Sequence, residues 1–145
     1  MNYQNYTKAE LIRILMVKER QPTRSPIDVY ENVLRPYSLD DTENFLVITL
    51  DAAMCVINTH VVSKGLVNRT LIHPREVFRP ALLDNATSII VAHNHPSGHL
   101  EASDDDLEAT TRLRKAGNIL GIPVNDHIIF GMGDYRSLAE TGELI

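Results

Sequence analysis

Two hydrophobic periods alternate along this chain, and they predict most of its elements. Thr7-Lys8-Ala9-Glu10 has the form of a capping box, with Leu11, Ile12, Ile14, Leu15 and Met16 after it. It predicts a helix over about Lys8–Arg20 with one apolar face. Gln21–Pro26 carries two prolines and reads as a linker. Pro26 then sits at the first position of a second helix, which keeps Ile27, Tyr30, Val33 and Leu34 at helical spacing until Pro36 and a polar stretch end it. Glu43–Leu50 and Cys55–Ser63 are rich in β-branched and aromatic residues and predict two strands joined as a hairpin across Asp51–Ala53. His73–Asn85 predicts a helix, with Pro80 expected to kink or break it. Thr87–Ala92 predicts a buried strand, His93–Ala102 a polar loop, and Ser103–Leu120 a helix stopped by Gly121 and Pro123. Val124–Phe130 predicts another strand, Gly131–Asp134 a turn, and the tail from Tyr135 a last strand or short helix. The expected fold is therefore α/β, a mixed sheet flanked by helices.

Length and composition narrow the class. At 145 residues and 16.3 kDa, with 43% apolar and 23% charged residues, the chain suits one compact globular domain. The formal net charge of −5 argues against direct DNA binding, which runs on Lys and Arg neutralising phosphates. A single cysteine, Cys55, excludes a disulfide framework and a thiolate zinc knuckle, and reads as a small buried apolar residue. The longest apolar runs fall far short of the ~20 residues of a membrane helix. The N-terminus lacks a basic region followed by an apolar one, so the expected compartment is the cytoplasm.

The chemistry gathers in His93–Asp106. His93 and His95 are two apart at a predicted strand end, where residues i and i+2 project from one face. Asp106 falls in the first turn of the next helix, where a carboxylate can point back to the strand. Two His and one Asp leave a coordination position for water, the pattern of a catalytic zinc site. Glu43, at the head of the first strand, is the candidate acid–base group, and Ser103 the candidate donor to an oxyanion. The same Ser-Asp-Asp-Asp run also fits an N-cap followed by acids facing the helix dipole, and the two roles are compatible. His99 reads as solvent-facing, His73 as part of a helix start, and His60 as a strand surface residue. His127, after Asp126, reads as a core Asp–His hydrogen bond with a supporting role at the metal as the alternative. No Gly-Lys-Ser/Thr is present, so no phosphate loop is expected and no organic cofactor is assigned.

His-x-His, seven residues, Ser, two residues and Asp resembles the JAMM (JAB1/MPN) metalloprotease motif, read here as His93, His95, Ser103 and Asp106. Gly65-Leu66-Val67-Asn68, His73-Pro74-Arg75-Glu76-Val77-Phe78, Ala92-His93-Asn94-His95-Pro96-Ser97-Gly98 and Asp126-His127-Ile128-Ile129 resemble, in order, the RadC-like branch of bacterial JAB-domain proteins. The resemblance covers about Glu43–Ile145. It implies a JAB/MPN (cytidine-deaminase-like) fold over 43–145, preceded by an N-terminal helical segment over 1–42. It implies one zinc per chain on His93, His95 and Asp106. Ser103 is then the oxyanion-side hydroxyl and Glu43 the acid–base group, with Glu76 its rival. The implied activity is that of a metallopeptidase or isopeptidase using a metal-bound water, with a peptide or other amide as substrate. The loop His93–Ala102 and the segment Val62–Leu71 are expected to line the cleft.

Two departures bear on loop shape rather than on the ligands: His99 stands where the branch has an acid, and Ala102 where it has proline. Full-length members carry a helix-hairpin-helix DNA-binding region. The residues before Glu43 lack its glycine-containing hairpins, so the chain is expected to be a short form, similar to prophage or mobile-element copies. A DNA-repair-associated binding module and a catalytically silent JAB scaffold stand as the alternative functions.

Overall fold

A computed structural model describes residues 5–12, 22–65 and 72–144 of the chain. Five strands form one mixed sheet in the order β2-β1-β3-β4-β5. They are β1 (Asn44–Leu50), β2 (Val56–Lys64), β3 (Ser88–Asn94), β4 (Val124–Gly131) and β5 (Asp134–Ser137). The helices are α1 (Pro26–Val29), continued by a π-helical turn (Tyr30–Leu34) and a 3-10 turn (Arg35–Tyr37), α2 (Pro74–Leu83) and α3 (Asp104–Leu120).

The hairpin of β1 and β2 is antiparallel as expected, and β1 also pairs antiparallel with β3. β3 and β4 run parallel, with α3 as the crossover between them. The tail forms a strand: β5 returns antiparallel to β4 through Met132-Gly133. Both turn residues have positive φ, 49° and 83°, as a two-residue type I′ turn demands.

Alternation along β1 explains the layers. Phe45 and Val47 face α2 and α3, packing with Val77, Phe78, Ala81 and Leu113. Leu46, Ile48 and Leu50 face the other way, onto Val29, Tyr30 and Leu34 of the α1 segment. Helices thus cover both faces, which is why every residue of β1 and β3 is buried. Each large apolar side chain so buried contributes about 1.5–3 kcal/mol.

Two local expectations meet the structure differently, and a third is met as stated. Pro80 lies inside α2 without breaking it; the helix ends at Leu83, so the ring replaces only one N–H of the ladder. Cys55 is half-buried rather than buried, because it lies at the hairpin turn, where its N–H donates to Asp51 Oδ1. The Thr7–Glu10 capping box is formed, the Glu10 N–H donating to Thr7 Oγ1 at 3.2 Å and the Thr7 N–H to Glu10 Oε2 at 2.7 Å. The stretch 13–20 of the first predicted helix, residue 21 of the predicted linker, and 66–71 of the expected cleft wall lie outside the described residues.

Candidate metal centre

The site lies at the carboxyl end of β3. This strand runs two residues beyond its predicted end, so His93 is held within the sheet and His95 just past it, both on the α2/α3 face. Phe45, paired with His93 across the β1–β3 ladder, stacks on its imidazole with ring centroids 6.1 Å apart and planes 9° apart. The His95 N–H donates to Phe130 O at 2.8 Å, continuing the β3–β4 pairing. Gly131 makes that approach feasible, because a Cβ there would lie 2.4 Å from the His95 carbonyl oxygen.

Asp106 arrives from the start of α3. Ser103 caps this helix, its Oγ accepting from the Asp106 N–H at 3.1 Å, while Asp106 Oδ2 accepts from the Ser103 N–H at 2.9 Å. The reciprocal pair turns the Asp106 carboxylate toward the strand end, where it is fully buried at the positive end of the helix dipole. Asp104 and Asp105 are exposed on the same turn.

One ligating atom from each of His93, His95 and Asp106 lies within 4.8 Å of the others. His93 Nε2 is 2.9 Å from His95 Nε2 and 3.4 Å from Asp106 Oδ1, and His95 Nε2 is 3.8 Å from Asp106 Oδ2. A tetrahedral ion with bonds of about 2.0–2.2 Å has edges of about 3.3–3.6 Å, within the spread of these separations. The donor set also suits a cation chemically. His95 Nδ1 lies 2.5 Å from the carbonyl oxygen of His99. A carbonyl only accepts, so Nδ1 carries the proton and Nε2 turns a lone pair toward His93 and the carboxylate. His99 thus serves the site through its backbone, and its side chain is exposed as expected.

The other predicted residues fall into place around this group. Glu43 is half-buried and immediately precedes β1; its carbonyl accepts from the Gly65 N–H at 2.8 Å. Extending the ladder by two from Phe45–His93 brings it opposite His95, although its carboxylate is not part of the three-residue group. Glu76 is exposed in the first turn of α2, and His73 is the N-cap of that helix. His60 is more than a surface residue: its Nε2 lies 2.7 Å from Asp84 Oδ2, a carboxylate that also accepts from Thr49 and Asn58. Burial pushes the Asp84 carboxyl up, and the hydrogen bonds from His60, Thr49 and Asn58 outweigh this, holding its pKa below the ordinary value.

The expected Asp126–His127 hydrogen bond runs through the backbone of His127, at 2.7 Å. Asp126 accepts from that N–H, from the Ser137 hydroxyl and from the Ala139 N–H. Burial pushes its carboxyl above the ordinary range, against those three bonds. The His127 imidazole turns to His93, with Nε2 2.7 Å from His93 Nδ1, and its own Nδ1 meets Thr110 Oγ1. Sequence reasoning missed Thr110. The available signal was its spacing: four residues after Asp106, it shares the buried face of α3.

A mixed sheet covered by helices, with two histidines at a strand end and an aspartate on the adjoining helix, defines an α/β domain with a triad that could hold a metal ion. The chain belongs to the RadC-like JAB domain family, whose model matches residues 23–143, reaching further toward the N-terminus than the motif resemblance. A UPF0758 protein of Thermosynechococcus vestitus is 48% identical over 103 residues, 71% of this chain and 41% of that protein. One of Rubrobacter xylanophilus is 45% identical over 140 residues, 93% of this chain and 60% of that protein. One of Staphylococcus haemolyticus is 44% identical over 125 residues, 86% of this chain and 54% of that protein. The chain thus spans about half the length of the curated relatives it matches. Among the described residues, no helix is long and apolar enough to cross a membrane.

Proposed function

We propose that this domain is a zinc-dependent hydrolase that cleaves an amide bond, in a peptide or an isopeptide. The observation that carries this reading is the convergence of two imidazole nitrogens and one fully buried carboxylate at the end of β3. A buried carboxylate beside two nitrogen donors is costly unless a cation shares the space. Family membership supports the same reading, since the JAMM resemblance implies a metallopeptidase.

His93, His95 and Asp106 would hold the ion. Zinc in a site of three protein donors supplies Lewis acidity and lowers the pKa of water to about 7. Glu43, opposite His95, takes the proton from the attacking water and returns it to the leaving nitrogen as the C–N bond breaks. Ser103 Oγ accepts from the Asp106 N–H, which leaves its hydroxyl hydrogen to donate to the oxygen of the tetrahedral intermediate. Asp106 stays a ligand and takes no proton.

Elemental analysis of protein purified without chelator tests the reading. The wild type is expected to hold about one zinc per chain. Asp106→Asn, which keeps an acceptor for the Ser103 N–H, is expected to lose most of it. A wild type that holds no zinc and takes none up would end the proposal.

A further inference from the structure

Behind the ligands runs a hydrogen-bonded chain that leaves β3, crosses β4 and enters α3. His93 Nδ1 lies 2.7 Å from His127 Nε2, His127 Nδ1 lies 2.5 Å from Thr110 Oγ1, and Thr110 Oγ1 donates to the carbonyl oxygen of Asp106 at 2.6 Å. All four residues are buried.

The end of the chain fixes its direction. The Asp106 carbonyl only accepts, so the Thr110 hydroxyl spends its one hydrogen there. Thr110 Oγ1 must then accept, and His127 Nδ1 carries the proton between them. A neutral imidazole has one N–H, so His127 Nε2 is an acceptor, and the proton it shares with His93 sits on His93 Nδ1. His93 Nε2, 2.9 Å from His95 Nε2 and 3.4 Å from Asp106 Oδ1, is then the nitrogen available to an ion.

We infer that Thr110 and His127 are positioning residues that set the tautomer of His93 from a backbone carbonyl on the ligand-bearing helix. The device links two ligands of one ion: the helix turn that carries Asp106 also dictates which nitrogen of His93 is available. The inference rests on the zinc reading for its consequence, while the relay behind His93 is built from the protein's own hydrogen bonds. A hydroxyl one residue pair removed from the ligand thereby governs metal affinity. Without it, His127 can turn its proton to Nε2, and His93 is driven to the tautomer whose Nε2 is blocked.

Two measurements test this. The first is the zinc dissociation constant, by competition with a chromophoric chelator, for the wild type, Thr110→Val and Thr110→Ser. Valine keeps the shape and loses the hydroxyl; serine keeps the hydroxyl. Thr110→Val is expected to weaken zinc about 10- to 100-fold, as loss of a group supporting a metal-bound imidazole does elsewhere. Thr110→Ser should stay within about threefold of wild type, since the acceptor survives. Equal affinities in all three would overturn the inference. The second is imidazole 15N NMR of the wild type, with and without zinc, which needs no variant to fold. Protons on Nδ1 of both His93 and His127 support the relay; a proton on His127 Nε2 overturns it. If the wild type binds no zinc, the function proposal fails, and the metal-free spectrum still decides the proton order.

Discussion

Asn94, between the two histidines, reaches across the sheet to the entrance of β1: its Oδ1 accepts from the Asn44 N–H at 2.6 Å. Its Nδ2 donates to the Thr42 carbonyl at 2.9 Å, and Asn44 Nδ2 completes the latch at Asp40. While His93 and His95 project toward the helices, the residue between them clamps residues 42–44. It therefore fixes the backbone of Glu43 relative to His93 and His95.

Removing that latch leaves a buried N–H without a partner. Asn94→Ala is expected to destabilise the fold by about 1–3 kcal/mol, the usual penalty for such a group. Thermal unfolding should show a melting point lower by several degrees, with zinc binding retained. An unchanged melting point would mean that water replaces the amide.

Glu43 separates chemistry from metal binding. Glu43→Gln keeps size and hydrogen bonding and loses only the exchangeable carboxylate. Zinc content should match the wild type, while turnover of any amide substrate found for the protein falls about 10²- to 10⁴-fold, the range for general acid–base groups. Retained turnover would move the acid–base role elsewhere, with Glu76 the first alternative to substitute.

Gly131 tests the packing behind His95. A methyl group there meets the His95 carbonyl at 2.4 Å, too close for any Cβ, and both partners are backbone. Gly131→Ala is expected to push the His95 backbone off β4. Weaker zinc binding by titration, with far-UV circular dichroism unchanged, is the expected result; wild-type affinity would show that the turn after β4 yields instead.

The Asp84 cluster predicts a pH dependence that does not involve the candidate metal site. The carboxyl has a lower pKa folded than unfolded, so its contribution to stability is full above the unfolded value near pH 4. It declines as pH falls through the folded value. Melting temperature from about pH 6 to pH 3 should therefore fall more steeply in the wild type than in Asp84→Asn. Parallel profiles would assign the acid loss to other carboxylates.

Much of the site could be read in the residues themselves, because its parts are local. His93 and His95 share a face through strand periodicity, and Ser103 and Asp106 meet through the first turn of a helix; both are short-range geometries. The family motif lies wholly within such segments. What the residues do not disclose are partners distant in sequence. Asp126 and His127 are adjacent, yet their side chains take different partners, Ser137 for one and His93 with Thr110 for the other.

The chain's own pattern determined which segments are strands and helices, and that two imidazoles and a carboxylate stand at one strand end. Only the tertiary structure decided what stands behind them. The β3–β4 register slips between Ile89–Val124 and Ile90–Asp126, a bulge at Asn125 that shifts the alternation of β4 by one residue. Val124 faces the α2/α3 core, Ile128 and Phe130 face the α1 segment, and His127 is brought beneath His93. An extra residue in one strand changes which face every later side chain takes, and that depends on pairing with a neighbouring strand.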